Sequence, residues 1–175
     1  MISIDFSPQL KNFPIADQQW AGEMLERLET YVDRAAPRSI YIYDLVDQHT
    51  LCCSEYSVPA LLGYSAQQST SLGKLGLSEL IHPADVESVA TYFQRFCTLK
   101  TGDIITLAYR MKRVDGTWCL LRSQDTPLIT AVDGFPLKVI GLVADISDSQ
   151  QSKIDLIRMS HMALQYFPDH DKAMA

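Results

Sequence analysis

Three things are scarce in this 175-residue chain: long apolar runs, clustered basic residues and cysteines at metal-binding spacing. No apolar stretch approaches the roughly 20 residues that a membrane-spanning helix needs. Met1–Leu10 has no basic segment ahead of an apolar one, so it does not read as a signal peptide. The expectation is a cytoplasmic protein without membrane contact. The net charge is −6 and no basic stripe stands out, so direct nucleic-acid binding by this chain is not expected. Of the four cysteines, Cys52, Cys53, Cys97 and Cys119, no two have CxxC spacing. Free, mostly buried thiols are therefore expected, with no metal and no disulfide.

What is present is material for a core: 47% of the residues are hydrophobic. A domain of this size buries roughly 70% of the surface its unfolded chain exposes. Trp20, Met24, Leu25, Leu28, Tyr31, Val32 and Ala35 recur at helical spacing after a capping Asp17, and Pro37 stops the pattern. Glu23, Glu26, Glu29 and Asp33 form the acidic back of that helix.

Ser39–Val46 and Thr50–Glu55 read as a hairpin around the turn at residues 47–49. A very short helix follows, with Ser57 as cap and Pro59 in its first turn. Residues 69–76 look like a loop, and Leu77–Ile81 like a helical turn. Pro83 and Asp85 suit the start of a longer helix, whose apolar stripe is predicted to be Val86, Val89, Ala90, Phe93 and Cys97. Asp103–Arg113, Thr117–Thr126 and Pro136–Ile146 then read as strands joined at Asp115-Gly116 and near Asp133-Gly134. Asp-Gly between apolar runs is a strong hairpin signal, so an antiparallel three-strand meander is expected. Asp148 suits the cap of a last helix carrying Ile154, Ile157, Met159, Met162 and Leu164.

This order, and five short motifs in sequence, resemble the PAS family. Ile40-Tyr41-Ile42-Tyr43-Asp44 resembles its first strand, and Leu61-Leu62-Gly63-Tyr64-Ser65 its Leu-Gly-Tyr-Ser signature. Ile81-His82-Pro83-Ala84-Asp85 resembles the His-Pro-Asp-Asp motif before the long helix. Tyr109–Trp118 resembles the Tyr-Arg…Asp-Gly…Trp hairpin, with Trp118 nearer the glycine than in the pattern. Val139–Ser147 resembles the closing strand with its Gly-x-x-x-Asp-Ile-Thr ending. The resemblance implies an α+β fold. Its five-stranded antiparallel sheet would carry short helices and one longer helix on one face, with flanking N- and C-terminal helices. The divisions are 1–37 for an N-terminal extension, 38–148 for the domain, and 149–175 for an output or linker helix.

Strand parity defines the candidate pocket. Arg110, Lys112, Arg122 and Lys138 mark the outer face of their strands, since charges avoid a closed pocket. The inner set is then Leu107, Tyr109, Met111, Cys119, Leu121, Ser123, Leu137, Val139, Gly141 and Val143, with Tyr41 and Tyr43 from the first strand. Val89 and Phe93 from the long helix face them. Such a lining, apolar with a few hydroxyls, suits a small-molecule site and also a plain core. The bulk of these side chains favours a filled or nearly filled core. On the outer face, Trp118, Leu120, Ile140 and Leu142 form an apolar patch that water would not cover favourably. The helix stripe Trp20, Met24, Leu25, Leu28 and Tyr31 is its matching interface, in the same chain or in a dimer partner. The acidic flank of that helix is expected to meet Arg110, Lys112 and Arg122.

Within the family, a flavin photoadduct needs a cysteine in the stretch corresponding to Leu75–Ile81, and haem-binding members place a histidine on the long helix. Neither is present here, so no haem, no photoadduct flavin and no other cofactor is expected. His82 reads as a capping or packing residue. His161 follows Ser160 as in a histidine-kinase phospho-acceptor box, but Met162 stands where an acid belongs, and His161 reads as an ordinary helix residue. No nucleophile–base pair stands out, so catalysis is not expected. The function implied is a sensory PAS domain of a transcriptional regulator or signalling protein. It would bind a small ligand or mediate dimerisation; the alternative is a purely structural protein–protein dimerisation module with a filled core. The sensor piece of a histidine kinase is a further reading. The effector or partner protein has no signature in these residues.

Overall fold

The two Asp-Gly pairs fall where the chain reverses. The computed structural model describes residues 22–25, 27–28, 37–47, 49–53, 57–75 and 77–148. Gly116 and Gly134 take φ of 87° and 86°, left-handed backbone that costs glycine nothing in Cβ contacts. They turn β3 (Ile105–Lys112) into β4 (Trp118–Thr130) and β4 into β5 (Pro136–Asp145). A third hairpin joins β1 (Arg38–Asp44) to β2 (His49–Cys53). β1 docks on β5, so the sheet order is β2-β1-β5-β4-β3 with every neighbour antiparallel. β4 continues past Thr126 to Thr130, beyond its predicted end. Register shifts on either side of Ile129 let the strand run on past Pro127.

The helices lie between β2 and β3: α1 (Val58–Leu61), α2 (Ala66–Leu75) and α3 (Val86–Gln94). Single 3-10 turns sit at Leu77–Leu80, Pro83–Asp85 and Arg95–Thr98. α2 corrects the loop expected at 69–76. Its start is a reciprocal cap: the Gln68 N–H donates to Ser65 Oγ at 3.2 Å, and the Ser65 N–H donates to Gln68 Oε1 at 2.9 Å. The Ser69 and Thr70 hydroxyls donate to the carbonyls of Ser65 and Ala66. The polar side chains that made this stretch look irregular are thus absorbed by the helix itself.

The predicted stripe of α3 is also corrected. Val89, Tyr92, Phe96 and Leu99 are buried, while Val86 is 47% and Phe93 44% exposed. Beyond Gln94 the chain tightens into a 3-10 turn, which changes the period and carries Cys97 outward. Cys97 is therefore an exposed thiol, against the expectation of burial, whereas Cys119 is buried.

Residues 22–25 and 27–28 are helical. Leu25 and Leu28 are fully buried in one cluster with Ile40, Ile42, Leu120, Ile140, Leu142, Ala144 and Ile146, and Met24 packs beside them. The same chain thus covers the outer face of its own sheet. Fully burying each leucine contributes roughly 1.5–3 kcal/mol. Trp20, Tyr31, Asp17, the helix expected after Asp148 and His161 lie outside the described residues. Trp118 is 45% exposed and meets the His82 ring at 4.5 Å. Among the described residues no helix is long and apolar enough to cross a membrane.

Candidate functional site

The inner face is organised by one row across four strands. Tyr41 stands opposite Gly141, Gly141 opposite Asp125, and Asp125 opposite Ile105. Cross-strand partners share a face, so the missing side chain at Gly141 leaves a gap between Tyr41 and Asp125. Tyr41 fills it and donates its hydroxyl to Asp125 Oδ1 at 2.5 Å. A Cβ at residue 141 would lie 2.2 Å from Asp125 Oδ1 and 2.4 Å from Tyr41 Cζ. From α3, the Tyr92 hydroxyl lies 2.5 Å from Asp125 Oδ2 and 3.1 Å from the Ile105 carbonyl oxygen. Beside them the Tyr109 and Ser123 hydroxyls are 3.1 Å apart.

Asp125 is fully buried. Burial pushes its carboxyl up to about 7, against the opposing pull of the Tyr41 and Tyr92 hydrogen bonds. The protonated form leaves every hydrogen with an acceptor. Asp125 Oδ2–H donates to the Tyr92 oxygen, Tyr92 donates onward to the Ile105 carbonyl, and Tyr41 donates to Oδ1. The ionised form instead takes both phenol hydrogens. Burial first, then the Asp125 carboxylate, hold the Tyr41 and Tyr92 phenols far above their ordinary range. Burial likewise pushes Tyr109 up to about 12.

Sequence reasoning missed Asp125 and Tyr92. The signal for Asp125 was there: it follows Cys119, Leu121 and Ser123 at the same alternation. The rule that charges mark the outer face excluded it, and that rule fails when a carboxyl is neutral or fully hydrogen-bonded.

A cavity of about 420 Å³ opens between this face and the helices. Its walls come from β1, β2, α1, the turn at Leu77–Leu80, α3, β3 and β5. The expectation of a filled core is overturned, because Val86, Ala90 and Phe93 border this space instead of packing into it. Of the candidate lining residues, Tyr41, Tyr43, Val89, Phe93, Tyr109, Met111 and Val143 line the cavity. Cys119, Leu121 and Val139 are packed in the core, with Leu107 against it. Ser123 is tied to Tyr109, and Gly141 lies beneath the Tyr41–Asp125 pair. Val58, Pro59, Leu77 and Ile81 line it too and were not foreseen. The described lining holds no histidine and no cysteine. It therefore offers haem iron no imidazole or thiolate and offers a flavin ring no thiol. Among the described residues no group of three His, Cys, Asp or Glu side chains is placed to hold a metal.

The rim of the site is pinned at the β3 edge. Ile81 bridges Met111, and the His82 N–H donates to the Arg110 carbonyl at 2.9 Å. His82 Nδ1 accepts the Ala84 N–H at 3.1 Å, which confirms its capping role. Asp85 receives the Arg110 backbone N–H at 2.9 Å, Nε at 2.8 Å and Nη2 at 2.7 Å. Arg110 is thus committed to the start of α3, which corrects the expected pairing with the acidic flank of the N-terminal helix. Such forked, charge-assisted bonds fix geometry strongly. Just beyond the end of β3, Arg113 pairs with Asp145 at 2.7 Å. Burial alone would raise the Asp145 carboxyl, but hydrogen bonds from Ser147 and the Arg113 charge hold it below its ordinary range.

Two solved structures reach a TM-score of 0.50 and bear on the fold. A sensory box histidine kinase/response regulator from Burkholderia thailandensis superposes with a TM-score of 0.50 at 17% identity, covering 81% of this chain and 98% of that one. The light-state LOV domain of the blue-light photoreceptor Aureochrome1 also gives 0.50 at 17% identity, covering 78% and 98%. The N-terminal domain of a diguanylate cyclase with PAS/PAC sensor from Marinobacter aquaeolei gives 0.49 at 18% identity, covering 63% and 96%. At such identities the likeness extends to the fold alone. No curated protein sequence matches the chain. The family model for the PAS fold matches residues 54–143, a little over half of the sequence. The chain belongs to the PAS fold family.

Proposed function

We propose that this chain is a non-catalytic sensory domain of a signalling protein or transcriptional regulator, and that it responds to a small ligand held in the inner cavity. One observation carries this reading: a cavity of about 420 Å³, within the range of small-molecule sites, is walled by both the sheet and α3. Occupancy would bear on Val86, Ala90 and Phe93 of α3 and on Tyr41 of β1, which Asp125 couples back to α3 through Tyr92. A ligand that favours one setting of α3 over another shifts the population by its differential affinity. Homodimerisation, an effector segment outside the described residues, a cytoplasmic location and the absence of haem or flavin belong to the same proposal.

The test is a thermal-shift screen of neutral and charged small molecules on the wild-type protein and on Val143→Phe, which fills the cavity. The expected result is a compound that raises Tm in the wild type and has little effect on the filled variant. If no compound separates the two proteins, the ligand reading is wrong. Absorbance and native mass of the purified protein are expected to show no Soret or flavin band and a dimer.

A further inference from the structure

Of the three phenols in the cavity wall, two have their hydroxyls engaged elsewhere. Tyr41 spends its hydroxyl on Asp125, and the hydroxyls of Tyr109 and Ser123 bond each other. Neither Asp125 nor Ser123 borders the cavity, so these two bonds lead away from it. The polar atoms of a ligand therefore meet two engaged phenols, Tyr41 and Tyr109, at the sheet. Among the described lining residues none carries a charge, and the remaining hydroxyl side chains are Tyr43, Thr50, Ser57 and Ser78. A buried charge without a partner is strongly disfavoured.

Resting on the ligand-binding reading above, we propose that the cavity takes a neutral, predominantly apolar small molecule, one with an aromatic or alicyclic body and no carboxylate, phosphate or ammonium group. Aromatic faces from Tyr41, Tyr109 and Phe93 supply contact area, and the stacking and edge geometries they allow suit a flat hydrocarbon body.

Three probes of one shape test the class: naphthalene, 2-naphthoate and 2-naphthylmethylammonium. Binding to the full chain is measured at pH 7.5 by ligand-observed NMR, on the wild type and on Ala90→Trp. Ala90 is exposed on α3 and borders the cavity, so tryptophan there obstructs the space without disturbing the buried side of the helix. Circular dichroism verifies that the variant is folded. The expected result is naphthalene binding at least 10-fold tighter than either ion, with that binding lost in Ala90→Trp. If 2-naphthoate or the ammonium binds as tightly as naphthalene and Ala90→Trp blocks it, the cavity is a ligand site but the neutral class is wrong. If no probe binds, or binding survives Ala90→Trp unchanged, the proposal fails together with the ligand-binding reading beneath it.

Discussion

The two faces of the sheet solve opposite problems. On the outer face, Ile40, Ile42, Leu120, Ile140, Leu142 and Ala144 meet Leu25 and Leu28 in an apolar seal. On the inner face the same strands carry Tyr41, Tyr109, Ser123 and Asp125, all hydrogen-bonded, beside a cavity. The seal is non-directional and tolerates exchange of one aliphatic group for another of similar volume. The polar row is directional, and each of its members depends on its neighbours. The outer face is thus held by apolar burial alone, whereas the inner face adds a directional polar row to an apolar core of its own.

Removing the seal should have the largest effect. Deleting residues 1–36 takes away Leu25 and Leu28 and bares the outer patch. Aggregation or outright unfolding is expected, read by light scattering and thermal melting. A truncated protein that stays soluble, equally stable and unchanged in mass would show that the seal contributes nothing.

A single cut in the seal comes next. Leu28→Ala leaves a cavity at a fully buried position and is expected to cost about 2–5 kcal/mol in denaturant unfolding. Binding to the inner cavity should survive it at temperatures where the protein is folded.

The inner row is probed by adding atoms. Gly141→Ala places a methyl group against Asp125 Oδ1 and the Tyr41 ring, and overpacking of this kind costs about 1–3 kcal/mol. Gly141→Leu is expected to be worse. Lys138→Leu, on the outer parity, should stay within about 0.5 kcal/mol. Equal melting temperatures for the Gly141 and Lys138 variants would mean that the two faces are wrongly assigned.

The last effect carries a sign. Asp125 has a folded value raised to about 7, above the ordinary carboxylate range. Its native state holds the proton more tightly than the unfolded chain does. Its contribution to stability is thus complete in acid and is lost as the pH rises through about 7. The slope is at most about 1.4 kcal/mol per pH unit. Asp125→Asn keeps the neutral hydrogen-bond pattern, with the amide N–H donating toward Tyr92. It should match the wild type below about pH 4 and be the more stable protein near pH 8. A stability difference between the two that does not change with pH would remove Asp125 from the titrating role.

Much of this architecture was legible before any coordinates. Asp115-Gly116 and Asp133-Gly134 fixed two hairpins, because only certain residues adopt left-handed backbone cheaply. Alternation then sorted the strands, since adjacent side chains must point to opposite faces. Helical spacing in the N-terminal stretch, set against the apolar outer strand positions, anticipated the packing of Leu25 and Leu28. α2 escaped because its caps and back-bonding hydroxyls look like loop residues until their partners are known.

The inner site depended on facts that no local pattern contains. Gly141 matters because register sets it between Tyr41 and Asp125, residues 84 apart in the chain. Tyr92 matters because α3 packs with that side inward, a choice made by tertiary contacts after the period changes at Gln94. Whether bulky side chains fill a space or enclose one depends on where helices dock, to within a few ångströms. The sequence by itself determined strands, turns, faces and the apolar seal, because backbone sterics and burial act locally. Tertiary structure decided the buried carboxyl's partners and the cavity, because both arise from distances between segments far apart along the chain.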